Sequence, residues 1–197
     1  MYGLRVVLAD SDPVSRKNIK EQLLSLGFSI VGETGDGRNV LQMVFNIQPD
    51  LVIISAQLTG KDGLALAKAI DEHRMAPVIL MSDISGQSRL SEALRYWTFS
   101  YMLKPIDEVN LIPTIEVCMA SYRKICWLEQ ENRKLRQNLE TRKVLEKAKG
   151  LLIQFKGMTE QQAFRHMQKV SMDKCIPIQK VAQQIISNLG EKRIEQS

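Results

Sequence analysis

Along the N-terminal half of the chain, short apolar runs alternate with longer stretches in which apolar side chains return every three or four residues. Five short apolar runs have the length of buried strands: 4–9, 28–32, 51–55, 78–81 and 99–103. Between the early ones, Ile19, Leu23 and Leu26, then Val40, Met43, Val44 and Ile47, then Leu64, Leu66, Ala67 and Ile70 mark the inner faces of three amphipathic helices. Strand and helix in alternation predict an α/β, doubly wound domain with a parallel five-stranded sheet covered on both faces. Ligands in such folds sit at the carboxyl ends of the strands. The candidate chemistry therefore lies at Asp10, Ser11 and Asp12, at Ser55, at Ser82 and at Lys104.

The period changes after residue 108. From 109 to 156 the pattern is helical throughout, with Pro113 near the start, where proline is tolerated. Ile125, Leu128, Asn132, Leu135 and Leu139 are spaced alternately three and four apart, the a/d seam of a coiled coil about two heptads long. Asn132 takes an a position, where a buried amide costs stability and fixes a two-stranded parallel register. Glu131 at g would face Arg136 at e of a partner helix. The seam predicts a homodimer; its alternative use is to pack on the chain's own N-terminal domain.

At Arg142 the seam breaks and a new apolar face begins, carrying Val144, Leu145, Ala148, Leu151, Leu152 and Phe155. Gly157 ends the helix, Thr159 and Gln162 form a capping box, and Ala163, Phe164, Met167 and Val170 face inward on the next helix. Pro177 opens a third helix with Ile178, Val181, Ala182, Ile185, Ile186 and Leu189 as its face. Short amphipathic helices are not stable singly, so an all-α three-helix bundle is expected. Phe155, Phe164, Met158 and Met172 are read as packing residues of that bundle, and Gly150 as a place where another backbone can come close.

Charge divides the chain. Residues 1–122 carry 11 basic and 14 acidic side chains, a net −3, whereas residues 123–197 carry 16 and 8, a net +8. A basic C-terminal part suits a polyanionic partner. Candidate contacts are Lys143, Lys147, Lys149, Arg165, Lys169, Lys174 and Lys180, each of which serves equally well as a solvated surface residue. Cys118, Cys126 and Cys175 have no metal-ligand spacing and read as reduced thiols, consistent with a cytoplasmic chain. No apolar run reaches the roughly 18–20 residues of a membrane helix. No nucleophile–base pair or metal set is visible, so neither an enzyme nor a cofactor or metal is expected.

Two resemblances sharpen this picture. The Asp10-Ser11-Asp12-Pro13 turn, the strand after Pro49-Asp50, Ser82 and Lys104-Pro105 together resemble a two-component receiver domain of flavodoxin-like fold, over about residues 1–118. Tyr101 falls where receivers place an aromatic switch residue. The resemblance implies that Ser55 stands where the phosphoacceptor aspartate belongs and Ser11 where a direct Mg²⁺ ligand belongs. A hydroxyl cannot form the acyl phosphate, and Mg²⁺ favours anionic oxygens. The expectation is a degenerate pocket, a pseudo-receiver, in which Lys104 serves hydrogen bonding. The opposing expectation is Mg²⁺ held by Asp10 and Asp12 with phosphate on Ser55.

The second resemblance rests on Leu145 to Ile153 (LEKAKGLLI), Gly157-Met158-Thr159-Glu160, Gln162-Ala163-Phe164, Ser171 to Lys174 and Pro177-Ile178 with Val181-Ala182. In that order they resemble the ANTAR domain, over about residues 135–190. The resemblance implies a regulator that binds paired stem-loops in nascent mRNA leaders and prevents an intrinsic terminator from forming. The expected organisation is a pseudo-receiver at 1–118, a coiled-coil linker at 119–142 and an RNA-binding bundle at 143–197. A regulatory protein or small-molecule ligand would control the first part. A DNA-binding response regulator and a protein-interaction adaptor are the competing functions.

Overall fold

The computed structural model describes residues 3–83 and 100–194, with side chains through residue 189. Its elements run β1 (Arg5–Ala9), α1 (Pro13–Ser25), β2 (Ser29–Thr34), α2 (Gly37–Ile47), β3 (Leu51–Ser55), α3 (Gly63–Glu72), β4 (Val78–Ser82), β5 (Ser100–Leu103), α4 (Glu108–Lys156), α5 (Glu160–Asp173) and α6 (Ile178–Ile194). They form two compact units, 1–127 and 128–197, and α4 passes from one into the other. Among the described residues no helix is long and apolar enough to cross a membrane.

All five strands pair in parallel, in the order β2-β1-β3-β4-β5. Successive side chains leave a strand on opposite faces, and here both faces are covered. Val7, Ala9, Val52, Ile54, Val78 and Leu80 pack under α2 and α3 through Val40, Val44, Leu66, Ala67 and Ile70. Val6, Leu8, Ile53, Ile79 and Met81 point the other way, against Ile19 and Leu23 of α1 and Leu111, Ile115 and Cys118 of α4. The inner strands are continuous apolar runs because neither face meets water.

Strand boundaries differ from the periodicity at β2. It ends at Thr34 rather than residue 32, because a register shift between Val6 and Val7 leaves Glu33 and Thr34 still paired with Leu8 and Ala9. Phe28 lies outside the strand yet is buried in the core. Of the run 99–103, Phe99 lies outside the described residues. Pro113 sits in the second turn of α4, not its first.

Aspartates start the first three helices. Asp12, Asp36 and Asp62 each accept a hydrogen bond from the N–H two residues on, at 2.9, 2.9 and 3.1 Å. The start of α3 is also pressed onto the end of β3. A Cβ at Gly63 would lie 1.8 Å from the Ser55 carbonyl oxygen, so only glycine fits.

In the second unit Ala148 and Leu152 of α4, Ala163 and Met167 of α5, and Val181 and Ala182 of α6 form one buried cluster. Gly157, at φ +63°, ends α4. The Thr159 hydroxyl accepts from the Gln162 N–H at 3.3 Å, and the Gln162 side chain accepts from the Thr159 N–H at 2.9 Å. Thr159→Ala removes one half of this box. It is expected to cost about 1 kcal/mol, seen as a lower urea midpoint at unchanged slope.

Two packing expectations are corrected. Phe164 is 39% exposed and Met172 77% exposed. Helical spacing from Ala163 and Met167 turns both toward solvent once α6 has taken the opposite side of α5. Gly150 has nothing within 4 Å of where its Cβ would be, so no backbone within the described chain approaches it.

Candidate functional site

Sheet order brings the ends of β1 and β3 side by side and places β4 and β5 beyond them. Asp10, Ser55 and Ser82 are therefore gathered at one rim, all buried. Asp10 is the centre of this pocket. One carboxylate oxygen accepts from the Lys104 ammonium at 2.5 Å and from the Ser15 hydroxyl at 2.8 Å; the other accepts from the Asp12 N–H at 3.1 Å. The Asp10 and Lys104 side chains are only 1% and 15% exposed. Lys104 thus has an ion-pair partner, which the sequence reading did not foresee. Its anion comes from β1 instead of from position 55. The Lys104–Pro105 peptide bond is cis.

The remaining groups are also committed. The Ser11 hydroxyl donates to the Gln57 carbonyl at 2.9 Å, and Asp12 caps α1. Ser55 has a hydroxyl where metal chemistry needs a carboxylate. Mg²⁺ demands near-octahedral oxygen ligands with anionic character. A donor set of one carboxylate already neutralised by lysine, one cap and two hydroxyls does not suit it. Tyr101 packs on the α2/α3 side of the sheet with its hydroxyl buried. Burial pushes the phenol above its ordinary value.

Arg16 closes the rim from α1. It donates to the Asp10 carbonyl and pairs with Glu33 at 3.0 Å, while Lys20 reaches the same carboxylate at 2.7 Å. Lys20, then Arg16, hold the Glu33 carboxyl below its usual range. Neither basic residue stood out in the sequence, because they sit on α1 and their partner Glu33 lies on β2.

On α4, Leu128, Leu135 and Leu139 are 49%, 61% and 55% exposed in the single chain, and Asn132 beside them is exposed too. Ile125 is half-buried. Burying large aliphatic side chains stabilises by about 1.5–3 kcal/mol each, so a row of them on a polar helix is a surface lacking its cover.

The bundle sorts its cations into two groups. Lys149 is only 12% exposed and is gripped by Glu146 and Glu160, both at 2.7 Å. Glu146 first, then Glu160, raise its ammonium above the ordinary lysine value, and Lys149 lowers Glu160 in return. Lys149 thereby ties α4 to the start of α5. Lys143 pairs with Glu140 at 3.0 Å. Lys147, Arg165, Lys169, Lys174 and Lys180 are exposed and make no ion pair among the described residues. Lys174 is presented by a tight turn in which Cys175 adopts φ +51° and the Ser171 hydroxyl donates to the Ile176 carbonyl at 2.6 Å.

The family model for the response regulator receiver domain matches residues 6–116, and that for the ANTAR domain matches residues 133–186. The chain is 36% identical over 186 residues to the transcriptional regulatory protein PdtaR of Mycobacterium tuberculosis, covering 94% of this chain and 91% of that protein. It is 32% identical over 144 residues to the regulatory protein AtoC of Escherichia coli, covering 70% of this chain and 29% of that one. Among solved structures, the signal receiver domain of NarL from Mycobacterium tuberculosis superposes with a TM-score of 0.55 at 24% identity, over 61% of this chain and 98% of that one. The receiver domain of AraT from Geobacillus stearothermophilus gives 0.51 at 26% identity, over 66% and 98%. The domains matched are regulatory, not catalytic.

Proposed function

Because the chain belongs to the response regulators of two-component systems, in the group that joins a receiver domain to an ANTAR domain, we propose that it is a dimeric, cytoplasmic, RNA-binding antitermination regulator. Residues 1–118 act as the pseudo-receiver, 119–142 as the coiled-coil linker and 143–197 as the module that holds stem-loops of a nascent mRNA leader. The observation that carries this reading is that five of the bundle's candidate contacts, Lys147, Arg165, Lys169, Lys174 and Lys180, are exposed and make no ion pair among the described residues. Phosphate neutralisation needs cations that are not already satisfied within the protein. Lys143 joins them by exchanging Glu140 for a phosphate. Lys149 acts by fixing α5.

The exposed leucines of the seam support pairing with a second copy, in the parallel register that Asn132 favours. Two copies bring two bundles to two neighbouring hairpins. In the front domain, Lys104 held by Asp10 and the serines at positions 11 and 55 support control without aspartyl phosphate, through a partner protein or a small ligand.

A gel shift of the full chain tests the reading, with a labelled hairpin RNA competed by unlabelled hairpin and by duplex DNA. The expected result is displacement by RNA hairpin alone, with log affinity falling linearly with log salt. Displacement by duplex DNA would support a DNA-binding regulator instead. Absence of RNA binding at low salt would leave the adaptor.

A further inference from the structure

The outward half of α5 carries an unusual combination. At 100° per residue, Phe164, Gln168, Gln161, Met172, Arg165 and Lys169 follow one another around the side opposite the buried Ala163 and Met167. All six are exposed, Met172 at 77% and Phe164 at 39%. No carboxylate occurs between residues 161 and 172. Single exposed apolar residues are commonplace. Here an aromatic ring, a thioether and two amides lie on one acid-free strip beside two cations that make no ion pair among the described residues.

That chemistry selects its partner. Cations without interleaved acids attract a polyanion. Amides donate and accept to the edges of bases. An aromatic face and a flexible thioether suit the flat faces of bases that have left a helix. A paired stem offers no such faces. We propose that this side of α5 reads unstacked bases of the RNA hairpin loop: Phe164 stacks on one base, Gln168 bonds its edge, Met172 covers a neighbour, and Arg165 and Lys169 hold the adjoining phosphates. The assignment rests on the RNA-binding reading and names the residues that set its sequence preference.

The test uses full-length protein and a hairpin library with a fixed stem and a randomised loop, with bound members sequenced. Wild-type protein is expected to enrich a loop consensus. Phe164→Leu, which keeps an apolar side chain at that position but loses the ring, is expected to lose preference at one loop position. It should bind the selected hairpin about tenfold more weakly, with its thermal melt and salt slope unchanged. Phe164→Tyr retains the preference, and Gln168→Ala loses it at one position. Arg165→Ala with Lys169→Ala lowers retention of all members alike.

Enrichment by Phe164→Leu and Gln168→Ala equal to wild type would overturn the assignment, as would wild-type binding without any loop consensus; the RNA-binding reading survives both. A Phe164→Leu effect on dimer mass alone would show that the strip meets a second copy, and would also overturn it. Failure of the wild type to retain any hairpin would bring down both readings together.

Discussion

Leu135→Asp is expected to turn a dimer into a monomer and to weaken binding to an RNA with two adjacent hairpins by about 100-fold. Leu135 is the most exposed leucine of the seam, at 61%, with Leu128 two turns before it at 49% and Leu139 one turn after it at 55%. In a parallel pair it occupies a d position, facing its own copy. The substitution removes two buried side chains per dimer and sets two carboxylates against each other in the core. The loss on paired hairpins comes from linkage: two bundles joined by one coiled coil hold the second hairpin at high effective concentration, and separated bundles do not. Binding to a single hairpin should be unchanged, since residue 135 lies outside the bundle cluster. Sedimentation velocity measures the mass, and titration of one-hairpin and two-hairpin RNAs separates the two effects. A dimer mass for the variant would refute the seam.

Lys104→Met is expected to destabilise the front domain by about 3–5 kcal/mol, the usual cost of stranding a buried charge. The Asp10 side chain is 1% exposed; without Lys104 its partners among the described residues are the Ser15 hydroxyl and the Asp12 N–H. Such a loss is a large share of a domain's usual stability of about 5–15 kcal/mol. Asp10→Asn combined with Lys104→Met should recover most of it, because the charge that needed a partner has gone. Urea unfolding of the two variants and the wild type measures the difference. Mg²⁺ should not rescue the single variant, and wild-type protein treated with acetyl phosphate and Mg²⁺ should acquire no acid-labile phosphate. A single variant as stable as wild type would mean that the ion pair does not hold the pocket.

The degree to which each feature was legible follows from how local its cause is. The apolar runs and the three-to-four spacing announced the five strands and the helices, because both depend on neighbours in the chain. The capping box at Thr159 and Gln162 was visible for the same reason: its two halves are three residues apart. Serine at positions 11 and 55 was plain from the receiver resemblance. The ion pair of Lys104 with Asp10 joins residues 94 apart, and nothing in either segment points to the other. Glu160 likewise reaches Lys149 only because a tight turn at Gly157 folds α5 back. A lysine read as free for RNA is thereby engaged within the protein.

Phe164 and Met172 show the opposite case. Their hydrophobicity suggested a core, but a helix has a limited inward arc, and Ala163 and Met167 fill it. Which of several apolar residues turns inward depends on where the neighbouring helices lie.

By itself, the amino-acid sequence determined the kinds of element, their order, the acidic N-terminal and basic C-terminal parts, and the serines at positions 11 and 55, since periodicity, charge and residue identity belong to the chain alone. Tertiary structure decided which charges are satisfied and which remain available, and which apolar side chains are left facing water. Ion pairing and burial depend on distances between segments remote in sequence, and those distances exist only once the sheet and the bundle have closed.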